Sequence, residues 1–362
     1  MAPIRVGFIG LSKTGWAPVS HLPYLKQTDK FEIVAIQNSS VESAQEAIKI
    51  HGLPESTKAY GSPEDLANDP NVDLVVCSTR VDRHNEGIVP SLKAGKDVYV
   101  EWPLGKSLAD AEEIASHKKQ GSAVVGLQAR QAPIIATVRD FIESGKLGEV
   151  LSSTCSGYGM MGGDVAMEAY AYFADKSVGG NLLTIHSGHT LDWVQQGLRS
   201  TFEPAKSNAL MTVRRPFVKL TKADGTVISD QHPQTAEDTI FINGVLANSV
   251  PVQYTLRGGN PFKGAPALDW RILGTKGEVR VTASGVFLQI GYPDQKIEFF
   301  DAAADQVTEV PIKADEWDKL PIPARNVARV YEGIAGDGEA KKHLCDFADA
   351  IERHRFLDSL GS

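Results

Sequence analysis

Residues 10 to 15, Gly-Leu-Ser-Lys-Thr-Gly, follow an apolar run at Ile4–Ile9 and precede a stretch of helical spacing. Glycines so placed let a chain turn sharply off a strand and bring backbone N–H groups against a pyrophosphate, which a following helix start favours further. Ser12 stands where the middle glycine of the usual pattern falls. Taken alone, the motif is equally compatible with an ordinary strand–turn–helix corner. Its place at the first strand–helix turn of a chain that continues in the same alternation points to a bound nucleotide. The expected contacts are Gly10, Ser12, Lys13, Thr14, Gly15 and Trp16. The next strand ends in Gln37-Asn38-Ser39-Ser40, about 20 residues beyond the turn, where a carboxylate commonly takes the ribose hydroxyls. That carboxylate is missing here. A 2′-phosphate is then not repelled, and Asn38, Ser39 and Ser40 can donate to it, so NADP(H) is expected over NAD(H). Against this, no arginine lies nearby, and the same residues make an ordinary polar loop after a strand.

The elements that must hold these residues read clearly. Ile4–Ile9, Phe31–Ile36, Val72–Cys77, Asp97–Val100 and Ala123–Leu127 are short apolar runs, separated by helical spacing at Ala17–Leu25, Val41–Ile50, Glu64–Asn68, Glu86–Ala94 and Ala109–Lys119. Strands alternating with helices imply a parallel, doubly wound sheet. After a further helix at Ile134–Ser144 the texture changes to period-two strands over Ser207–Thr221, Thr239–Leu256, Trp270–Ala283, Val286–Ile290 and Ile297–Phe300, which predicts a large, mostly antiparallel sheet. Helical spacing returns at Ala324–Ile334 and Glu339–Leu357. The expected domains are 1–128 for the nucleotide, 129–322 for substrate and self-association, and C-terminal helices over 323–362 that pack back on the core.

Composition narrows the function classes. The chain has 362 residues, 37 Lys and Arg against 45 Asp and Glu, and a net charge of −8. That balance excludes nucleic acid as the expected partner, because phosphate neutralisation needs a basic surface. No apolar stretch approaches the ~18 residues of a membrane span, and the apolar N-terminal run is too short for a secretory signal. A cytoplasmic protein is expected. Cys77, Cys155 and Cys345 lie far apart and read as buried thiols. No His, Cys or Asp cluster has metal-ligand spacing. The acidic pairs Glu112-Glu113 and Asp301…Asp305 read as solvated surface.

Val72–Thr79 followed by His84, and Ala94-Gly95-Lys96-Asp97-Val98-Tyr99-Val100-Glu101-Trp102-Pro103-Leu104, resemble the core of the Gfo/Idh/MocA family, named for glucose–fructose oxidoreductase and inositol dehydrogenase. The resemblance runs from Arg5 to about Leu360. It implies an α/β Rossmann domain, an α+β domain whose open-faced sheet often makes a dimer, and hydride transfer between a nicotinamide and a sugar, polyol or imine carbon. It also implies cofactor contacts from Ser78, Thr79, Arg80, His84, Glu101, Trp102, Pro103, Gln128 and Arg130. Arg130 could equally pair with an acidic neighbour. Trp102 replaces the family's lysine. A second signature is similar to Gly179-Gly180-Asn181-Leu182-Leu183-Thr184-Ile185-His186-Ser187-Gly188-His189-Thr190-Leu191-Asp192. Here the family's first aspartate falls on Thr184, and one extra residue precedes His189.

A hydride leaves a carbinol carbon only as its hydroxyl proton departs, so a base must lie within hydrogen-bond reach. Imidazole suits that role near neutral pH. The remaining catalytic candidates are His189, His186 and Tyr158, the alternative for His189 being a packing role in its helix. Trp102 could offer a stacking face to a sugar or an aromatic ring. Trp102, the Gly15-Trp16 pair and the Leu182–Asp192 run are most similar to the branch containing the repressor of the fungal galactose pathway. Two function classes follow: an NAD(P)-dependent oxidoreductase for a small polar, sugar-like substrate, or a cofactor-binding regulator with a protein partner. A glycosidase using bound NAD through transient oxidation is a third reading within the family.

Overall fold

Apolar runs with no polar alternation suit strands covered on both faces, and the first such runs form a parallel sheet. The computed structural model describes residues 2–159, 161–336 and 338–361, with only the backbone at 339. It divides into two compact units, Met1–Gln131 with Glu316–Glu352, and Ala132–Asp315 with Arg353–Ser362.

In the first unit, β1 (Ile4–Ile9), β2 (Phe31–Gln37), β3 (Lys58–Tyr60), β4 (Leu74–Cys77), β5 (Asp97–Glu101) and β6 (Ala123–Gly126) lie in the order β6-β5-β4-β1-β2-β3. The strand order reverses between β4 and β1, and the carboxyl ends of two such strands open the crevice in which doubly wound sheets bind ligands. Phe8, Tyr24, Phe31, Tyr99 and Tyr331 fill one side of the sheet, with Tyr24 stacked on Tyr331 at 5.4 Å and 10°. The expected helix over Ala17–Leu25 is two short pieces, Trp16–Ser20 and Leu22–Leu25. Pro23 has no N–H to give the Val19 carbonyl, so the first piece cannot continue. The C-terminal helical run is also interrupted. Cys345–Asp346 pairs antiparallel with Val124 and Val125 of β6, dividing the run into Glu339–Lys342 and Phe347–Ser359.

In the second unit, β7 (Val150–Gly159), β8 (Val165–Met167), β9 (Asn208–Thr212), β10 (Phe217–Thr221), β11 (Val227–Pro233), β12 (Thr239–Val245), β13 (Pro251–Gly258), β14 (Leu268–Gly274), β15 (Gly277–Ala283), β16 (Lys296–Asp301) and β17 (Gln306–Val310) make two sheets. The larger has the order β17-β16-β15-β14-β7-β13-β12-β9 and is antiparallel except where β7 runs parallel to β13; the smaller is β11-β10-β8. The Ser207–Thr221 run therefore breaks into strands of different sheets. Pro216 cannot donate to a ladder, and the buried Asp238 carboxylate accepts the N–H groups of Arg214 (3.0 Å) and Arg215 (2.6 Å) instead. Val286–Ile290 forms bends and turns rather than the expected strand. The middle strand β7 escaped the sequence reading because its residues are mostly Ser, Thr and Gly. Its buried positions still alternate, Ser153, Cys155, Gly157 and Gly159. The helix Gly188–Leu198 belongs to this unit's core, where the Trp193 and Trp270 rings meet edge-on at 5.0 Å and the Trp270 indole N–H donates to the Ser153 hydroxyl at 2.9 Å.

All three cysteines are buried free thiols. Burial pushes the Cys77 thiol up to about 11, which keeps it protonated and inert. Among the described residues no helix is long and apolar enough to cross a membrane, and no group of three or more His, Cys, Asp or Glu could hold a metal ion.

Candidate functional site

In the first unit the candidate residues begin where β1 and β4 end. The Gly10 N–H donates to the Gln37 carbonyl at 3.0 Å, and its φ is +88°. A Cβ there would lie 2.6 Å from Thr79 Cγ2 and 2.9 Å from the Ser78 carbonyl oxygen, so the two strand ends approach closely only because residue 10 is glycine. Ser12 keeps the turn tight by donating its hydroxyl to the Thr14 carbonyl, while Lys13, Thr14 and Gly15 stay exposed. Trp16 is half-buried against the core, and its indole nitrogen has no partner among the described residues.

Asn38 corrects one expectation. Its amide donates to the carbonyls of Leu11 (2.9 Å) and Ser43 (3.2 Å), bracing the glycine turn, so both of its donor hydrogens are taken. Ser40 caps the helix Val41–Ile50 by accepting the Ser43 N–H, and its side chain also hydrogen-bonds Glu42. The residue's own N–H, and then that bond, hold the Glu42 carboxyl below its usual range. Of the three proposed phosphate donors only Ser39 is exposed and without a partner of this kind, and a carboxylate absent from Asn38–Ser40 stands two residues further on.

Glu101, at the end of β5, is engaged from within the first unit. One carboxylate oxygen lies 2.9 Å from His21 Nε2, and His21 Nδ1 lies 2.8 Å from the Tyr331 hydroxyl. The Trp102–Pro103 peptide is cis, and Trp102 is only 5% exposed. The indole therefore lacks the open ring face expected for stacking. His84 is buried, with Nδ1 2.9 Å from the Pro103 carbonyl and Nε2 3.1 Å from that of Thr79, and burial lowers its pKa. It fastens the loop after β4 to the loop after β5. Arg80 forms a two-toothed pair with Asp82 at 2.6 and 2.7 Å. Arg130 is buried and pairs with Asp349, the bland alternative for this residue. Gln128 is 2% exposed, and its side-chain oxygen has no partner among the described residues. An orphaned buried acceptor is costly by about 1–3 kcal/mol.

In the second unit, Asn181 and Thr184 form a reciprocal cap: Asn181 accepts the Thr184 N–H (3.1 Å), and Thr184 accepts the Asn181 N–H (3.0 Å). Thr184 thus shapes a helix start and supplies no ionisable group. The segment it opens, Leu182–Ser187, is a π-helix that runs directly into Gly188–Leu198. One extra residue per turn is what a π-helix holds, which accounts for the extra residue before His189.

His186 and His189 are 4% and 5% exposed, and the Nδ1 of each has no partner among the described residues. The His186 ring lies 4.6 Å from Phe287 and 5.6 Å from Phe173. Burial pushes both imidazoles down to about 3, and for His186 the neighbouring His189 adds to the effect. Both are neutral at physiological pH, which corrects the picture of an imidazole titrating near 7.

Tyr158 does not join them. It alternates along β7 with Gly157 and Gly159, and a Cβ on Gly159 would lie 3.6 Å from His186 Nδ1. Period-two alternation puts Tyr158 on the opposite sheet face, where the Arg257 guanidinium covers its ring at 4.5 Å. Sequence reasoning missed His21, Phe173, Phe287 and Arg257. An isolated histidine or arginine in an apolar or turn-rich stretch carries no spacing signal of its own.

Residues 4–128 match the family described as oxidoreductase, NAD-binding Rossmann fold, and residues 133–283 match the Gal80p C-terminal domain. The chain is 33% identical to the dehydrogenase aclE of Aspergillus oryzae, over 99% of this chain and 95% of that one. It is 30% identical to the galactose/lactose metabolism regulatory protein GAL80 of Saccharomyces cerevisiae, over 80% of this chain and 69% of that one. The crystal structure of a super-repressor mutant of Saccharomyces Gal80p matches with a TM-score of 0.89 at 25% identity, covering 99% of this chain and 95% of the other. A levoglucosan dehydrogenase solved with NADH and levoglucosan shares the fold, with a TM-score of 0.76 at 17% identity over 99% of this chain and 96% of that one. The chain belongs to the Gfo/Idh/MocA oxidoreductase family, in the branch that carries a Gal80-like C-terminal domain.

Proposed function

We propose that this chain is a nicotinamide-dinucleotide-dependent oxidoreductase acting on a hydroxyl, carbonyl or imine carbon of a small neutral polar substrate, sugar-like in its hydroxyl chemistry. The observation that carries the reading is the pair of buried imidazoles, His186 at the end of the π-helix and His189 at the start of the α-helix that follows, whose Nδ1 atoms lack, among the described residues, the partners that a folded interior normally provides. A substrate hydroxyl or carbonyl supplies the missing bonds. The 99% alignment with a dehydrogenase supports the same reading.

In the first unit, backbone around Gly10 and Gly15 would receive the pyrophosphate, with Ser12, Lys13, Thr14 and Trp16 around it. Ser78, Thr79, Arg80, Glu101, Trp102, Pro103 and Gln128 line or brace the rest of the dinucleotide's site, and His84 and Arg130 hold the loops that carry them. When bound, the nicotinamide supplies hydride donor and acceptor chemistry. His189 Nδ1 accepts a hydrogen bond from the substrate hydroxyl, and the negative charge developing on that oxygen as the alcohol is oxidised raises the ring's basicity so that it takes the proton; His186 orients the same oxygen. Because both rings are held neutral, an anionic substrate gains no charge attraction there.

Glu42 weighs against the 2′-phosphate expected from sequence, so NAD(H) binds at least as tightly as NADP(H). The outward face of the larger sheet exposes Leu210, Phe241 and Leu273 at 66%, 44% and 43%, and this supports self-association through that face. The work of the protein is assigned to the cytoplasm, in keeping with its composition.

The second reading, a cofactor-binding regulator, draws on Thr184 serving as a cap where the family has an aspartate, on Trp102 in place of lysine, and on the likeness to GAL80. Titration with NADH and NADPH followed by aldoses, ketoses and cyclic imines separates the two. Oxidation of bound cofactor supports the enzyme; tight binding with no turnover across the panel supports the regulator.

A further inference from the structure

Two guanidinium groups of the second unit face one point on the sheet face away from the histidines. Arg257, at the end of β13, donates from Nη1 to the Gly258 carbonyl at 3.2 Å and from Nη2 to the Asn260 carbonyl at 3.1 Å, with its plane over Tyr158. These partners are carbonyls and a ring face; among the described residues no carboxylate pairs with it. Arg215 donates from Nε to Asp164 at 2.7 Å, and its Nη1 lies 4.0 Å from Asp238, whose carboxylate already accepts from the Arg214 and Arg215 backbone, Gln234 and Thr239. Arg215 Nη2 and Arg257 Nη1 lie 3.9 and 3.8 Å from the position a Cβ on Gly259 would take. Gly259 has φ +87°, a conformation that L side chains rarely adopt. With no side chain at 259, the point is bordered by the Gly163 Cα at 3.7 Å and by the two cations.

We propose that Arg215 and Arg257 bind the carboxylate or phosphoryl group of a small ligand above Gly259. Two oxygens of one such group can each reach a guanidinium at the ~2.8 Å of a charge-assisted hydrogen bond. The anion also relieves the repulsion between two positive groups, only one of which has a carboxylate beside it. Tyr158 holds the Arg257 plane in place, so the donor is oriented before the ligand arrives. This assigns Tyr158 to anion recognition rather than to proton transfer.

Inorganic phosphate and succinate, titrated separately into the full chain at constant ionic strength and followed by calorimetry, test the site. At least one of them is expected to bind with a Kd of about 1–10 mM. Arg257→Gln and Arg215→Gln should each weaken that binding about tenfold, and Arg257→Lys should weaken it less than Arg257→Gln. Tighter binding of phosphate points to a phosphoryl ligand, and of succinate to a carboxylate. Anion bound at the glycine turn is the same in all variants and drops out of the comparison. Should Arg215→Gln lose its fold with the Asp164 pair, Arg257→Gln decides alone. Equal isotherms for the wild type and a folded Arg257→Gln variant, or no heat from either anion, overturn the proposal. NADH titration of the same samples keeps this result separate from the dinucleotide reading.

Discussion

Lowering the pH from 7.5 to 5.5 should destabilise the second unit through His186 and His189. Both have a folded-state pKa of about 3 because burial penalises the charged ring, against about 6.5 in an unfolded chain. A histidine depressed in the folded state binds fewer protons there than when unfolded, so stability is lost as pH falls below the unfolded value and continues to fall until the folded value is reached. At pH 5.5 the unfolded ring sits one unit below its pKa, worth about 1.4 kcal/mol per histidine, or about 3 kcal/mol for the pair. Urea unfolding at pH 7.5, 6.5 and 5.5, monitored by tryptophan fluorescence, measures the slope. His189→Gln removes one titrating group and should reduce the loss between pH 7.5 and 5.5 by about 1.4 kcal/mol. Comparing slopes cancels every other group that titrates in this range, including buried His84 of the first unit. An unchanged slope in His189→Gln would refute the claim that burial holds this ring neutral.

Gly10→Ala should weaken NADH and NADPH alike by at least about 100-fold, since a Cβ 2.6 Å from Thr79 and 2.9 Å from the Ser78 carbonyl forces apart the strand ends that form the crevice; fluorescence titration reads it, and circular dichroism confirms the fold. Asn38→Ala frees the Leu11 and Ser43 carbonyls and should weaken both cofactors by the same factor, about 3- to 10-fold. A loss confined to NADPH would restore Asn38 as a phosphate contact. Tyr158→Phe should leave kcat within about twofold, whereas His189→Ala should lower it by about 10²–10⁴, as steady-state rates on any active substrate will show.

Much of the first unit was legible because its strands are continuous apolar runs and its turns carry glycine where the chain needs it. The parallel sheet, the crevice after β1 and the helix Val41–Ile50 follow from those patterns. The second unit was less legible where polar residues occupy a buried strand. In β7, Ser153 is buried as the acceptor for Trp270, and Gly157 and Gly159 leave room for packed side chains, so no apolar alternation announces the strand. Candidate residues fared according to whether their role depends on type or on neighbours. Gly10 and His189 stand out in the sequence by type and position, and the structure places Gly10 at the close approach of two strand ends and His189 in a buried helix. The bracing role of Asn38, the capping role of Thr184 and the far-face position of Tyr158 depend on partners distant in sequence or on strand parity, and neither is visible until the pairing is known. The low histidine pKa values arise from burial, for His186 beside Phe173 and Phe287, which no local motif encodes.

Single-turnover oxidation of bound NADH, on addition of an aldose, ketose or cyclic imine panel to the wild type and to His189→Ala, tests the central claim most directly. The account predicts a burst of cofactor oxidation by at least one substrate in the wild type, slowed by about 10² or more in the variant with NADH affinity unchanged. Tight binding of NADH with no oxidation by any member of the panel, or equal rates in the two proteins, would contradict it.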